Sequence, residues 1–415
     1  MAKYGMPKAL MLTLALRNVF RNKRRTLLTV GLIACGLAAL MFTDAMVRGM
    51  SQSMVHIATG TFLGEAQVHR QGFRRNNDVD LFLAHSDTLL LALRSDPAVT
   101  VAAPRVISGA MLASSENVAA AMVYGVQGPA EAQLGKLRQA LVAGRYFEGD
   151  SPTQLLIGSK LAQLLEVELG DRVVITVSQI HGGDLSQELF RVSGIFHFND
   201  RLLDQNLAFV TLPRGRQLLG MTRGVHEIAL KLQASSPGTF AWEHYNGQWQ
   251  GEPLETLGWE KLIPQLSGVL EMSNFSTLIV AGILFVLVAL GLINSMFMSI
   301  YERQYEFGVL LALGTRPIQL FWQIVYEGFF IGVLSAVLGL VLGGLLSWWK
   351  ALTGIDYGNL EMSGVTLQEP IYLVLHWSQF TWMPLVIVLM TVTASLYPAW
   401  HAARLQPTQA MRKTL

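Results

Sequence analysis

The charged side chains best placed to do chemistry lie in the segment 301–317, which reads YERQYEFGVLLALGTRP. On a helix, Glu302, Arg303 and Glu306 fall close together, because residues four apart share a face. Such a charged, partly apolar helix can dock in a groove of a soluble partner through anchors at helical spacing. The alternative is an interfacial connector with a solvated charged face. The pattern predicts a contact site or a connector, not a reaction centre.

A second candidate is Glu327, an acid inside an apolar run long enough to cross a membrane. A carboxylate in such a run is costly and usually faces a helix bundle, a cavity or a cation. Glu327 is therefore either an interhelical partner that moves as the protein works or a paired or hydrated carboxylate near the headgroups.

The motifs that usually carry catalysis or metal binding are missing from the sequence. It contains no G-x-x-x-x-G-K-[ST], H-E-x-x-H, C-x-x-C or G-x-S-x-G run, and its nine histidines are scattered. The single cysteine, Cys35, excludes an intrachain disulfide framework and a cysteine-based zinc cluster. We predict no catalytic residue, metal site or cofactor in this chain, and any ATP hydrolysis would belong to a partner.

The composition indicates that lipid is one of the solvents of this chain. Hydrophobic residues make up 51% of the 415 residues and charged residues only 14%, well below the usual share in soluble proteins. The net charge of +2 does not favour a nucleic-acid partner.

Four apolar segments are long enough to cross the hydrocarbon core, which takes roughly 20 residues. They span residues 27–47, 278–300, 320–348 and 382–400. The alternative for any one of them is a buried core helix, but two exceed 20 residues almost without charge. The first apolar run is too long for a cleaved signal peptide, so we interpret it as a retained anchor.

Basic residues in the short flanks predict the orientation of these spans. The first 26 residues contain no acid and these basic residues: Lys3, Lys8, Arg17, Arg21, Lys23, Arg24 and Arg25. The tail 401–415 is also basic, whereas the loop 349–381 carries one lysine against three acids. Both terminal segments should be cytoplasmic, and residues 48–273 and 349–381 should lie outside the cytoplasm.

The segment 48–273 has the pattern of a soluble α+β domain. Strands are predicted at 172–177, 190–196 and 207–212, where apolar residues run together or alternate. Helices are predicted at 87–93 and at 159–165, the latter capped by Ser159. Gly182–Gly183 predicts a hairpin turn.

Aromatic residues crowd the approach to the second span. They are Trp242, Tyr245, Trp249 and Trp259. We interpret them as an aromatic belt at the membrane interface.

The segment 301–317 also has signals for its ends. Phe307, Leu310, Leu311 and Leu313 supply apolar neighbours for the charged residues. Gly314 is suited to end a helix, and Thr315 with Pro317 to start the next. A short amphipathic cytoplasmic helix fits residues 301–317.

Four stretches resemble the FtsX/MacB/LolC–LolE superfamily of ABC permeases. Residues 302–314 match its motif E-R-x-x-E-[IF]-G-x-L-x-A-L-G, and residues 14–25 resemble its basic amphipathic N-terminal helix. Residues 397–412 resemble its C-terminal Y-P-A-W-x-A-A-x-x-x-P-x-x-A-L-R, with Met411 in place of leucine. Residues 158–173 resemble a recurrent element of its periplasmic domain. The matches occur in the family's order along the whole chain.

The resemblance implies a fold, partners and a mechanism. Members are multi-pass proteins of the bacterial inner membrane with four transmembrane helices and a large MacB-like periplasmic core domain. Two permeases, identical or paralogous, bind a dimer of cytoplasmic ABC ATPases that hold ATP and Mg²⁺. ATP-driven closure moves the transmembrane helices and thereby the periplasmic domains, which is called mechanotransmission. The ATPase-coupling residues implied here are Glu302, Arg303, Glu306, Phe307, Gly308, Leu310, Leu311 and Gly314.

The resemblance leaves the transported substrate open. Residues 354–370 resemble a loop of the lipoprotein-releasing branch, whereas the Glu-Arg motif is nearer the MacB form. The first hypothesis is extraction of lipoproteins or lipids from the outer leaflet, with a periplasmic lipoprotein carrier. The candidate hairpin for capturing that carrier is 177–189. MacB-like efflux through a periplasmic adaptor, or an FtsX-like regulator or scaffold, are the alternatives.

An extractor needs an apolar cavity open to the outer leaflet, because acyl chains gain free energy only in an apolar site. The outer halves of the first two spans would line it. The predicted wall residues are Met41, Phe42, Met46, Phe275, Leu278 and Ile279. Plain lipid contact or helix packing is the alternative for these residues.

Overall fold

The computed structural model describes residues 8–147, 153–180, 182–233, 245–356, 360–362, 365–367 and 370–405. It divides into two compact units. The membrane unit comprises the described residues of Met1–Gln52, Val269–Asp356 and Pro370–Leu415, and the soluble unit those of Ser53–Gly268 and Tyr357–Glu369. Trp242, His181 and parts of the segments 1–26, 349–381 and 401–415 lie outside the described residues.

Four helices of the described chain are long and apolar enough to cross a membrane. They are α2 (Lys23–Ala58), α10 (Pro264–Glu302), α12 (Pro317–Thr353) and α13 (Trp377–Ala403). Each is longer than the corresponding apolar run, because a helix continues past the hydrocarbon wherever its backbone hydrogen bonds are still satisfied. Two short helices accompany them: α1 (Lys8–Arg21) and α11 (Gln304–Ala312).

Glycines of α12 allow close packing in the membrane unit, where small residues let helix backbones approach. A Cβ on Gly332 would overlap the Thr391 hydroxyl on α13. On the same helix, a Cβ on Gly339 would lie 2.9 Å from Leu37 of α2. These positions require glycine because a larger residue would push α12 away from its neighbours.

The soluble unit is built on one eleven-stranded sheet, as far as the described residues show. The strand order is β10-β11-β1-β9-β2-β3-β8-β5-β7-β4, and β6 pairs with β2 and β7. The strands on one side are β1 (Ala66–Arg70), β2 (Val99–Ala113), β3 (Val118–Val126), β9 (Glu227–Leu232), β10 (Gly247–Trp249) and β11 (Glu252–Gly258). The others are β4 (Leu141–Gly144), β5 (Gln154–Gly158), β6 (Arg172–Ser178), β7 (Leu185–Phe196) and β8 (Leu207–Thr211).

Short helices pack around this sheet. They are α3 (Phe73–Asn76), α4 (Ser86–Ser95), α5 (Gly128–Leu134), α6 (Ser159–Leu165), α7 (Arg201–Asn206), α8 (Leu212–Leu218) and α9 (Trp259–Leu262). A π-helix, Thr59–Leu63, follows directly on α2. A two-stranded hairpin joins β12 (Leu360–Met362) to β13 (Val365–Leu367). The α+β content predicted for this region is confirmed.

The strands predicted at 172–177, 190–196 and 207–212 are present as β6, β7 and β8, and the two predicted helices as α4 and α6. Ser159 is not the cap of α6, which is Gly158. The Ser159 hydroxyl instead lies 3.0 Å from His197 Nδ1, a hydrogen-bond partner outside the helix.

The predicted aromatic belt is wrong for Tyr245 and Trp249. Tyr245 is buried in the main core of the soluble unit, and Trp249 packs against that core from β10. The cluster looked interfacial because it precedes a membrane span in sequence. Strand pairing of β10 with β11 carries these rings into the domain instead.

Candidate functional site

The segment 301–317 is not one helix. Helix α10 ends at Glu302, and α11 starts at Gln304 and is nine residues long. Between them Arg303 leaves the helical conformation, with φ −110° and ψ 13°. The single-helix prediction is therefore wrong at Arg303, whose side chain is buried and bonds to Glu327 of α12.

The end of the segment follows its sequence more closely. Gly314 has φ +96°, a conformation that glycine adopts without strain, and its N–H donates to Leu311 O. Pro317 is the first residue of α12, as predicted, but the cap is Arg316 and not Thr315. Gln319 accepts from the Arg316 N–H through its side chain and thereby takes over the capping role.

The Arg303 guanidinium is the centre of a buried ion-pair network. Its Nη1 donates to Glu327 Oε1 at 2.9 Å, and its Nε lies 3.4 Å from Glu306 Oε2. The guanidinium carbon lies 4.9 Å from the centre of the Phe307 ring. Asn18 of α1 donates to the same Glu327 oxygen at 2.8 Å. Glu327 is therefore buried and paired between α1, α12 and the bend at Arg303.

Two further arginines close the network on its exposed side. Arg21 donates to both Glu306 oxygens, at 2.9 and 2.5 Å. Arg25 donates to Glu302 at 2.6 Å and to the Ser299 hydroxyl at 2.9 Å. The hydrogen bond from Arg21, reinforced by its charge and by Arg303, holds the pKa of Glu306 below its usual value although partial burial opposes this. The segment is thus tied to α1 and to the start of α2.

The predicted coupling residues fall into two groups by exposure. Phe307 and Gly308 are buried in the membrane unit, and Leu310 packs against the same core from its edge. Leu311 is half-buried, whereas Gly314 is exposed. The most exposed apolar side chain of the segment is Leu313, which is 79% exposed and leaves a free apolar surface for a partner.

The predicted cavity residues also divide. Phe275, Leu278 and Ile279 are exposed on α10, and Phe42 and Met46 are half-buried on α2. Met41 is wrong as a wall residue, because its side chain is fully buried and packs against Gly343 of α12. The uniformly apolar sequence of α2 carried no signal for which face turns inward.

The soluble unit holds a second ion-pair cluster, which the sequence analysis missed. The Arg105 guanidinium is fully buried and donates to Glu131 at 3.0 and 2.6 Å and to Glu227 at 2.7 Å. Its fourth bond goes to the carbonyl of Phe62 in the π-helix, at 2.5 Å, and the Phe62 ring centre lies 4.2 Å away. Burial alone would lower the pKa of Arg105, but the charges of Glu131 and Glu227 raise it overall. A charged residue in the middle of the apolar strand β2 was the available signal.

The hydrogen bonds of a histidine beside this cluster fix its tautomer. His226 Nδ1 accepts from the Ile107 N–H at 3.0 Å, so Nε2 carries the proton and donates to Val79 O at 2.9 Å. Burial lowers the pKa of His226 below its usual value.

Ser159, His197 and Asp204 lie together but do not form a catalytic relay. The Ser159 hydroxyl at 3.0 Å and Asp204 Oδ2 at 2.5 Å approach the same atom, His197 Nδ1. A relay needs the serine and the acid on opposite ring nitrogens. Among the described residues there is also no group of three or more His, Cys, Asp and Glu that could hold a metal ion.

Two family models match consecutive parts of the chain. Residues 278–407 match the FtsX-like permease C-terminal family, and residues 26–238 match the MacB-like periplasmic core domain. The lipoprotein-releasing system transmembrane protein LolC of Xylella fastidiosa is 27% identical over 92% of this chain and 92% of its own length. The macrolide export ATP-binding/permease protein MacB of Pasteurella multocida is 24% identical over 96% of this chain and 59% of its own length.

Among solved structures, the periplasmic region of MacB from Actinobacillus actinomycetemcomitans aligns with a TM-score of 0.35 and 15% identity, covering 49% of this chain and 92% of that one. The MacB-like match alone covers more than half of the sequence, and the FtsX-like match runs from within α10 through α12 and α13. The chain therefore belongs to the FtsX/MacB/LolC–LolE superfamily of ABC transporter permeases.

Proposed function

We propose that this permease couples ATP hydrolysis on a separate cytoplasmic ATPase to motion of its MacB-like domain, and that this motion extracts lipoproteins or lipids from the outer leaflet of the bacterial inner membrane. The observation that carries the proposal is the similarity to a lipoprotein-releasing LolC protein over 92% of both chains. In this proposal both termini are cytoplasmic, ATP and Mg²⁺ bind the ATPase dimer, and a second permease, identical or paralogous, completes the complex.

The proposed ATPase contact is the exposed side of α11 and the turn after it. Leu313 projects there next to Gly314, and Tyr305 and Ile318 are exposed on either side. An apolar anchor flanked by aromatic and aliphatic side chains suits a groove on a soluble partner. Phe307 and Gly308 face the permease itself and hold α11 in place from behind.

The ion pairs of this segment provide a route from the ATPase into the membrane helices. A displacement of α11 acts on α12 through Arg303, the residue just before α11, and its partner Glu327, and on α1 through the pair of Glu306 with Arg21. The pair of Glu302 with Arg25 ties the end of α10 to α2. These bonds join charged groups and are therefore stronger and shorter than neutral ones. Coupling of this kind needs no residue that reacts, which accords with a permease whose nucleotide chemistry lies on a partner.

At its other end α2 leads without interruption into the π-helix Thr59–Leu63. Arg105 binds the carbonyl of Phe62 in that π-helix and joins it to Glu227 on β9 and Glu131 on α5. In the proposed mechanism this cluster keeps the π-helix attached to the sheet.

The proposed substrate route runs along α10. Phe275, Leu278 and Ile279 are exposed there and present an apolar surface where acyl chains gain about 0.8 kcal/mol for each buried methylene. Phe42 and Met46 would face the same space in the complex, and Met41 would not. A periplasmic lipoprotein carrier would receive the cargo. A MacB-like efflux role with a periplasmic adaptor is the second candidate, favoured by the similarity to MacB over 96% of this chain.

The orientation can be tested with the single native cysteine removed by Cys35→Ala. Arg201 is exposed in the soluble unit and Arg24 at the start of α2. We expect a membrane-impermeant thiol reagent to label Arg201→Cys in cells with a permeable outer membrane and to spare Arg24→Cys. The opposite labelling pattern would reverse the proposed topology.

The ATPase contact can be tested by copurification after Leu313→Asp. An unpaired charge buried at an interface is costly, so we expect the ATPase to be lost while the permease still inserts. The matched control is Leu91→Asp, since Leu91 is 69% exposed on α4 of the soluble unit. Leu310→Asp is a poorer probe because Leu310 packs against the permease's own core. Undiminished copurification of Leu313→Asp would assign the segment to a connector.

The substrate can be tested by placing a photocrosslinker at Phe275 in cells. We expect an adduct with lipoproteins that fades when the ATPase turns over in the presence of a carrier. A crosslinker at Leu345, an exposed leucine on α12, controls for general lipid contact. Equal adducts with bulk phospholipid at both positions, or adducts of the soluble unit with a periplasmic adaptor, would favour the MacB-like role instead.

A further inference from the structure

Helix α1 presents three different faces. Ala15 and Val19 are buried and Asn18 is half-buried, so this face packs on the membrane unit. The next face around the helix carries exposed apolar residues at every fourth position, which are Leu12, Leu16 and Phe20. Residues four apart stand above one another on a helix, so these three form one continuous stripe. Within the described part of the chain these three side chains remain 40–52% exposed.

The third face and the start of α2 are basic. Arg17, Lys23 and Arg24 are exposed and form no ion pair within the described part of the chain, whereas Arg21 and Arg25 are occupied by Glu306 and Glu302. No acidic residue occurs before Asp44. The free charges of this region are therefore all positive and lie next to the apolar stripe.

From these faces we infer that α1 is a docking surface for anionic lipid. Leu12, Leu16 and Phe20 insert at the boundary between headgroups and acyl chains, and Arg17, Lys23 and Arg24 bind the phosphates above it. Helices with this arrangement of apolar and basic faces lie in the plane of a membrane surface. Each basic residue near an anionic surface strengthens binding on the order of fivefold.

The position of α1 selects lipid over a soluble partner. The apolar part of α2 starts at Leu27 and Leu28, both exposed, three residues after Arg24. The basic cluster therefore lies where a membrane helix enters its bilayer, and α1 is joined to that point by Asn22 alone. A stripe at this level faces headgroups and acyl chains without any further movement of the protein.

The same helix holds two acids of the ion-pair network, through Asn18 to Glu327 and Arg21 to Glu306. Lipid docking on one face thus positions the coupling segment on the other. This consequence rests on the proposed function, because it assumes that the segment contacts an ATPase. The docking itself does not, and it can be measured on the permease without ATPase or substrate.

The experiment uses the full-length Cys35→Ala permease in nanodiscs with a polarity-sensitive fluorophore on Leu16→Cys. In phosphatidylcholine that contains phosphatidylglycerol we expect a blue-shifted emission that brominated lipids quench. The control position is Leu91→Cys, another exposed helical leucine, where the emission should stay that of a water-exposed probe. Both changes are at surface side chains, so the fold is retained.

A charge-neutralised triple variant, Arg17→Gln, Lys23→Gln and Arg24→Gln, tests the anionic requirement. We expect the phosphatidylglycerol fraction needed for half of the shift to rise on the order of tenfold or beyond the range that can be reached. The charge-matched control changes three exposed arginines of the soluble unit, by Arg172→Gln, Arg201→Gln and Arg223→Gln. This control should leave the required phosphatidylglycerol fraction unchanged.

Two results would overturn the inference. A Leu16 probe that stays in water in every lipid, and becomes shielded only when the ATPase is added, would make α1 a protein-docking helix. An equal shift in pure phosphatidylcholine, unaffected by the triple variant, would remove the role of anionic lipid.

Discussion

Arg105 and Arg303 each bind two carboxylates, but their surroundings differ. Arg105 is fully buried in the soluble unit, and its donors are used by Glu131, Glu227 and the Phe62 carbonyl. Arg303 holds Glu327 tightly, whereas its second acid, Glu306, is shared with Arg21 and is 40% exposed.

The difference separates a fixed connection from one that can be remade. Taking apart the Arg105 cluster would leave charges in a dry core, so it persists as long as the domain is folded. At Arg303 the bond to Glu327 is buried, but Glu306 is 40% exposed and shared with Arg21, so water can replace its bonds and its partners can exchange when a neighbouring surface is occupied. In the proposed mechanism, the ion pairs of the segment 301–317, the input end of the permease, therefore exchange partners. The π-helix that follows α2 stays bound to Arg105 throughout.

The largest expected effect is that of Arg105→Met. It leaves Glu131 and Glu227 buried without a counter-charge, which costs about 3–5 kcal/mol. We expect the midpoint of thermal unfolding of the soluble unit to fall by roughly 10 °C, measured by proteolysis of the full-length permease. Adding Glu131→Gln and Glu227→Gln should restore part of the loss, since amides are less costly to bury. Arg303→Met should cost about half as much, because Glu327 keeps its bond from Asn18. Equal losses at the two arginines would contradict the distinction.

Acid should affect the soluble cluster through two buried histidines, His69 and His226. Burial lowers the pKa of His69, whose Nε2 lies 3.9 Å from Glu227, to about 3. His226 is neutral in the folded protein, and its pKa is lowered by burial, so below pH 6.5 the unfolded chain binds a proton that the folded one excludes. Its contribution to stability is therefore present above pH 6.5 and lost as the pH falls, at up to about 1.4 kcal/mol per pH unit.

The measurement is the unfolding midpoint of the soluble unit between pH 7.5 and 5.5. His226→Asn keeps an acceptor for the Ile107 N–H but does not titrate, so its midpoint should depend less on pH even if it is lower throughout. Parallel curves for the two proteins would show that another group is responsible.

Glu327→Gln tests whether the bond between Arg303 and α12 transmits motion. The amide fits the same space but loses the charge that holds Arg303, so we expect normal insertion and a roughly two- to thirtyfold loss of ATP-coupled transport. ATPase activity measured in parallel separates lost coupling from lost ATPase binding. Normal transport by Glu327→Gln would restrict the pair to a structural role.

The two clusters also differ in how far the sequence predicts them. The Glu-Arg segment and Glu327 stand out locally, as charges inside or next to long apolar runs. Arg105 was missed because its acids lie 26 and 122 residues away, and only the pairing of β2 with β9 brings Glu227 beside it.

The four membrane helices and the α+β pattern follow from local hydropathy, which needs no distant partner. The bend at Arg303 and the burial of Met41 do not. Helical periodicity continues through Arg303, and only Glu327 on another helix decides where its side chain turns. The apolar residues around α2 are too alike to show that Met41 faces inward, where Gly343 leaves room for it.

The smallest effect should come from Arg21→Gln. Arg21 and Glu306 are 59% and 40% exposed, and an ion pair in water contributes little to stability because solvent screens it. We expect the free energy of unfolding of the membrane unit to change by no more than about 0.5 kcal/mol, so that its unfolding midpoint changes little.

The pair still has a measurable property, because the hydrogen bond from Arg21 keeps the pKa of Glu306 low. The contribution of this lowered pKa to stability is fully present at a pH above the carboxyl pKa of the unfolded chain. It is lost as the pH falls through the pKa of Glu306 in the folded protein. In Arg21→Gln, Arg303 alone remains beside Glu306, so acid should release α11 at a higher pH than in the parent. A fluorophore on Leu313→Cys in the Cys35→Ala background would report this release, and 1 M salt should reduce the difference because it shortens the screening length to about 3 Å. If Arg21→Gln instead destabilised the membrane unit as strongly as Arg303→Met, the outer pair would be as fixed as the inner one, and the input end would not be adjustable.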